Sequence, residues 1–89
     1  NWKVHSTTVS AFRLDVVLKE MIHKSRNIAQ QLIIKKRVKV NHTVIDSTDF
    51  QLEQNDLLSI QGYGRAQIVE IGGKTKKNKL HIHYQTLFK

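Results

Sequence analysis

Residues 13–41 read RLDVVLKEMIHKSRNIAQQLIIKKRVKVN, and the fold is decided here. Leu14, Val17, Leu18, Met21 and Ile22 recur at the spacing of one face of an amphipathic helix. Ser25 then offers a hydroxyl to the free amide protons of a helix start, ahead of a second apolar stripe of Ile28, Ala29, Leu32 and Ile33. Beyond that stripe Val38 and Val40 alternate with Lys39, so the helical period gives way to the alternation of a strand. The stretch therefore predicts two helices joined by a tight turn and followed by a strand.

The charges on this unit point to a ligand. Arg13 and Arg26 each stand at a helix start, where the positive end of the macrodipole disfavours a cation by about 0.3–1 kcal/mol. A phosphate would favour them there, because free amide protons already face an anion and a guanidinium adds a two-pronged donor. The structural alternative is pairing with Asp15. Gln30, one turn after Arg26, lies on the same face. Lys35, Lys36, Arg37 and Lys39 carry the positive surface past the second helix, with Arg37 and Lys39 expected on one side of the strand and Asn41 ending that edge.

Outward from this unit, Trp2, Val4 and Thr7–Val9 read as a lead-in strand, with Trp2 as an apolar anchor or a base-stacking ring, and the first helix is expected to open at Ser10 or just after it. After the turn at Asn41-His42, Thr43–Ile45 returns as a strand. An acidic loop, Asp46–Asp49, follows, with Phe50 and Leu52 expected to pin it to the core. Leu58 and Ile60 alternate with Ser59 and Gln61 as a strand, and Gly62 and Gly64 around Tyr63 suggest a bulge. Ala66–Ile71 forms the next strand, and Gly72-Gly73 is expected to begin a hairpin loop carrying Lys74, Lys76, Lys77 and Lys79 before a last strand, Leu80–Gln85.

The 89 residues make one domain, with 15 Lys plus Arg against 7 Asp plus Glu, a net charge of +8 and a pI near 10.1. Positive charge concentrates in residues 13–41 and 74–89, on either side of an acidic segment, which argues for a directed nucleic-acid face. No apolar run is long enough to span a bilayer, and no basic helix has an aromatic face suited to lie on one. The absence of cysteine excludes disulfide and thiolate chemistry and fits a reducing cytoplasm. Starting at Asn1, the chain reads as a piece of a longer protein.

The motif Arg13-Leu14-Asp15 with Leu18, then Ser25-Arg26 with Ala29, Leu32 and Ile33, then Val38-Lys39-Val40-Asn41, resembles the RNA-binding module named after ribosomal small-subunit protein S-four. Gly62-Tyr63-Gly64-Arg65 and the closing GGKTKKNKLHIHY are similar to the C-terminal module of YlmH-type proteins. The resemblance implies an α+β fold of two packed helices against a small, mostly antiparallel sheet with a C-terminal hairpin extension, and a core motif over residues 13–60. It also implies structured RNA, ribosomal or transfer, as ligand and the ribosome as the seat of action. Two positions depart from the family pattern. Lys36 stands where family members place Gly, so it must adopt a left-handed conformation or end the helix differently, and His42 replaces the Gly of an Asn-Gly turn.

The expected RNA contacts are Arg13, Ser25, Arg26, Gln30, Lys35, Lys36, Arg37, Lys39 and Asn41, with Arg65 and the lysines 74, 76, 77 and 79 as a second patch. Tyr63 could stack a base or pack in the core. His81 and His83 share a strand face, but no third metal ligand accompanies them, so no metal or other cofactor is expected. No nucleophile elbow, phosphate loop or HExxH spacing appears, which argues against an enzyme. The reading is a monomeric RNA-binding module, with no membrane or small-molecule partner. Two alternatives stand beside it: the targeting arm of an RNA-modifying enzyme such as a pseudouridine synthase or methyltransferase, and a protein adaptor docking through Asp46–Asp56.

Overall fold

The computed structural model describes residues 1–89. In chain order the elements are β1 (Lys3–Val9), α1 (Leu14–Ile22), α2 (Arg26–Ile34), β2 (Val38–Val40), β3 (Thr43–Val44), β4 (Leu57–Ile60), β5 (Gly64–Lys74) and β6 (Leu80–Phe88). The strands form one sheet in the order β1-β6-β5-β4-β2-β3, every neighbouring pair antiparallel, so the first strand closes on the last. Both helices lie on one face, giving the α+β arrangement expected from the sequence.

The predicted stripe of α1 is buried in full, joined by Val16 and by the carboxylate of Asp15. The predicted stripe of α2 is buried only at Ala29 and Ile33, because that helix turns one narrow face to α1 and leaves Ile28 45% exposed. Inward strand positions Val38, Val40, Leu58, Ile60, Ala66, Ile68, Ile82 and Tyr84 complete the core. Each fully buried aliphatic side chain there contributes about 1.5–3 kcal/mol by leaving water.

Helix ends follow local chemistry. The Ser25 hydroxyl accepts a hydrogen bond from the Ile28 amide, the capping role expected of it. α2 ends with Lys36 left-handed at φ 61°, where the Lys36 amide donates to Ile33 and the Arg37 amide to Leu32, a Schellman closure. Lys36 thus accepts the conformation a glycine would adopt more cheaply. Asn41 and His42, at φ 50° and 70°, make a type I′ turn between β2 and β3.

Several expectations are corrected. α1 opens at Leu14 rather than near Ser10, because the chain is still extended at Arg13, which bridges to Gln51 while the Leu52 amide donates to the carbonyl of Phe12; the first helical amides then donate to Phe50 and Thr48. Gly62 and Gly64 form a tight turn between β4 and β5 instead of a bulge, with the Tyr63 amide donating to Ile60. At Gly64, φ is 134° and a Cβ would collide with the carbonyl oxygen of Leu87 on the paired strand. The register irregularities lie further along β5, between Ile68 and Glu70 and between Ile71 and Lys74. Gly72-Gly73 stay within β5, which runs on to Lys74 opposite Leu80, so the lysine loop begins later than expected. Trp2 is 40% exposed ahead of β1 and lies outside the core cluster. Tyr63 is partly buried and packs edge-on against Phe88.

Candidate nucleic-acid interface

Three hydrogen-bonding side chains converge on one carboxylate. Arg13 precedes α1, Arg26 opens α2, and Gln30 lies one turn further along α2. Asp15, fully buried in the first turn of α1, accepts from Arg13 Nε at 3.2 Å and Nη2 at 3.3 Å, from Arg26 Nε at 3.2 Å and from Gln30 Nε2 at 2.9 Å. Burial pushes the Asp15 carboxyl up. The hydrogen bonds from Gln30 and Arg26, the charge of Arg26 and the hydrogen bond from Arg13 outweigh it and hold the group below its ordinary value.

The structural alternative, pairing with Asp15, is thus present for both arginines. Asp15 gives both arginines a reason to stand at helix starts without any phosphate. One carboxylate neutralises only one of two guanidiniums, however, and their side chains remain 35% and 49% exposed. The cluster stays cationic and partly open, and its geometry is set from within the fold.

A second concentration of charge forms where α2, β2, β4 and β5 meet. Lys36, Arg37, Lys39 and Arg65 wall an open cleft of about 370 Å³ together with Ser59, Gln61 and Gly64, and no carboxylate lines it. Lys39 is opposite Ser59, and Ser59 is opposite Arg65, so strand register places the two cations in one row across the sheet. A shallow groove beside it, lined by Asn27, Ile28, Gln31, Leu32 and Lys35, shares Arg37 with the cleft. The surface therefore runs from the face of α2, through Lys35 and Arg37, to Arg65.

This arrangement redraws the expected patches. Arg65 joins Lys36, Arg37 and Lys39 rather than the lysine loop, because Arg65 and Lys74 lie at opposite ends of the same strand, about 25–30 Å apart at strand rise. Lys79 instead borders a hollow beside Lys19 and Glu20. Asn41 is occupied within the fold: its amide donates to Asp56 and its carbonyl accepts from Leu57. Ser25 likewise spends its acceptor on the helix cap.

Sequence reasoning missed Ser59 and Gln61 as cleft residues and Asn27 and Gln31 as groove residues. The i, i+4 spacing of Asn27 and Gln31 was a usable signal, whereas Ser59 needed the strand pairing. The rings of His81 and His83 lie 5.0 Å apart, and the fold gathers no group of three or more metal-ligating side chains. No helix is long and apolar enough to cross a membrane.

A family model described as "S4 domain" matches residues 12–58, more than half of the chain. The chain belongs to the S4 domain family. The match covers α1, α2, β2, β3 and the first half of β4, which carry all of the Asp15 cluster and, of the cleft, Lys36, Arg37 and Lys39. This S4 chain is also 37% identical over 83 residues to the Bacillus subtilis (strain 168) "Ribosome-associated protein quality control protein P2", a YlmH-type protein. The similarity takes in 93% of the chain and 32% of that relative, so the chain spans about a third of its length.

Proposed function

We propose that the chain is an RNA-binding module that recognises structured ribosomal or transfer RNA on the ribosome, through phosphates and backbone shape. The observation that carries this reading is the acid-free cleft walled by Lys36, Arg37, Lys39 and Arg65, which shares Arg37 with the groove along α2. Membership of the S4 domain family and the net charge of +8 support it, and the name of the Bacillus relative supports the ribosome as the place of action. Phosphate contact is the chemistry such a surface offers, since the deep groove of A-form RNA admits few side chains and its backbone presents a regular array of anions. In this reading Arg13, Arg26 and Gln30 meet one stretch of backbone with the donors Asp15 leaves over. Lys35 joins the cleft cations on the next stretch, and the module acts as a monomer without catalysis of its own.

The test is binding to an RNA hairpin and to ribosomal subunits across a salt series. Arg26→Ala and Arg37→Ala are each expected to weaken binding across RNA sequences and to lower the salt slope by about one unit. Slopes that stay unchanged for both variants would overturn the reading.

The share of the relative that lies outside the matched region leaves room for a second reading, the targeting arm of an RNA-modifying enzyme. A catalytic domain in the same reading frame, with turnover lost when this module is deleted, would establish it.

A further inference from the structure

The helices cover only one face of the sheet. Across the other face, register aligns Val44, Lys39, Ser59, Arg65 and Leu87 in one transverse row, each opposite the next. The adjacent row is Leu57, Gln67, Gln85 and Val4. The rows that alternate with these, such as Val40, Leu58 and Ala66, are buried beneath the helices, so both named rows face away from them. Trp2 precedes Lys3, whose partner Thr86 is on the buried side, so alternation puts Trp2 on the open face next to Leu87.

Half of this face is cationic and half is apolar. Lys39 and Arg65 stand two strand spacings apart, about 10 Å, on the wall of the cleft described above. Arg65 is a similar distance from β1, where Val4 is 70% exposed and Trp2 offers an open indole. Between the halves the Gln85 amide donates to Gln67 at 2.9 Å and the Gln67 amide to the Asn55 carbonyl at 3.4 Å, which leaves the Gln85 side-chain oxygen to meet a base edge. Neither row contains a carboxylate. Exposed apolar side chains beside cations, with an aromatic ring within one or two nucleotides' reach, suit a single-stranded nucleic acid, whose bases stack while its phosphates pair with the cations. An acidic, apolar peptide is the competing occupant. Continuity with the cleft favours RNA.

We infer that the helix-free face binds an unpaired run of RNA, with phosphates at Lys39 and Arg65 and a base stacked on Trp2 beside Leu87. This inference rests on the RNA-binding reading above and adds a second, single-stranded site to it. Trp2 is the sole tryptophan, so its fluorescence reports directly on stacking.

The experiment titrates the 89-residue chain with a short oligouridylate at low salt, following Trp2 emission, and in parallel measures binding of a labelled RNA hairpin. Saturable quenching is expected, with Lys39→Gln and Arg65→Gln each lowering the salt slope of oligouridylate binding by about 0.7. Trp2→Leu, followed with labelled oligouridylate, should weaken binding about fivefold or more. Hairpin binding that remains sensitive to Arg26→Ala, without any quenching of Trp2, overturns the single-stranded site and leaves the RNA-binding reading standing. Loss of both activities overturns both. Quenching by an acidic peptide at concentrations where oligouridylate gives none assigns the face to a protein partner and also overturns the inference.

Discussion

Asp15 accepts four hydrogen bonds from Arg13, Arg26 and Gln30 with its side chain wholly buried, so both helix starts are tied to one carboxylate. Removing Asp15 deprives Gln30 and two partly exposed guanidiniums of their acceptor, and because water reaches the guanidiniums the cost is about 1–3 kcal/mol. Asp15→Ala should therefore lose about that much in denaturant unfolding. Since the folded carboxyl is held below its ordinary value, its stabilisation is present above the unfolded pKa of about 4 and is lost as pH falls through the lower folded value. The stability gap between the parent chain and Asp15→Asn, measured by denaturation at neutral pH and near pH 3, should accordingly narrow in acid. Lys36 gives a second residue-scale case. Its left-handed backbone costs about 1 kcal/mol that glycine avoids, while the residue lines the cleft. Lys36→Gly should raise the unfolding midpoint and lower the salt slope of RNA binding by about one unit, so the two readouts move in opposite directions.

At the scale of elements, the fold depends on joints whose chemistry is local. Ser25 caps α2, the Schellman closure at Lys36 turns the chain into β2, and Asn41-His42 returns it into β3. These joints were legible because a cap, a turn pair and a change of period are each written within a few adjacent residues. The β4–β5 joint was misread as a bulge because Gly62 and Gly64 suit either geometry, and only the pairing of Ile60 with Gly64 distinguishes them. The backbone of β6 also packs directly against Gly64. Gly64→Ala should cost well over 1 kcal/mol in thermal unfolding, since a Cβ meets the Leu87 carbonyl and φ is unsuited to alanine. Gly62, with open space around it, should tolerate alanine better than Gly64 does, although its φ of 89° still imposes strain.

Across the whole molecule, the cleft and the lysine loop sit at opposite ends of β5 in a body of 35 × 29 × 21 Å. A hairpin small enough to be held at the cleft cannot reach both. Replacing Lys74, Lys76, Lys77 and Lys79 by Gln should leave the affinity for such a hairpin within about twofold and lower the affinity for intact ribosomal subunits, with a smaller salt slope, as measured by equilibrium binding to each. Equal losses on both RNAs would mean that the loop folds back to the cleft end.

Local sequence specified the helix-helix-strand unit, the cap at Ser25 and the excess of positive charge. Each depends on neighbours a few residues apart, or on composition alone. Tertiary structure decided which charges act together. Asp15 reaches Arg26 only because α1 and α2 pack side by side, and Arg65 meets Lys39 only because β5 and β2 flank β4 in a register that holds Ser59 between them. Residues far apart in the chain become neighbours through sheet pairing and helix packing, and the cleft is assembled at that level.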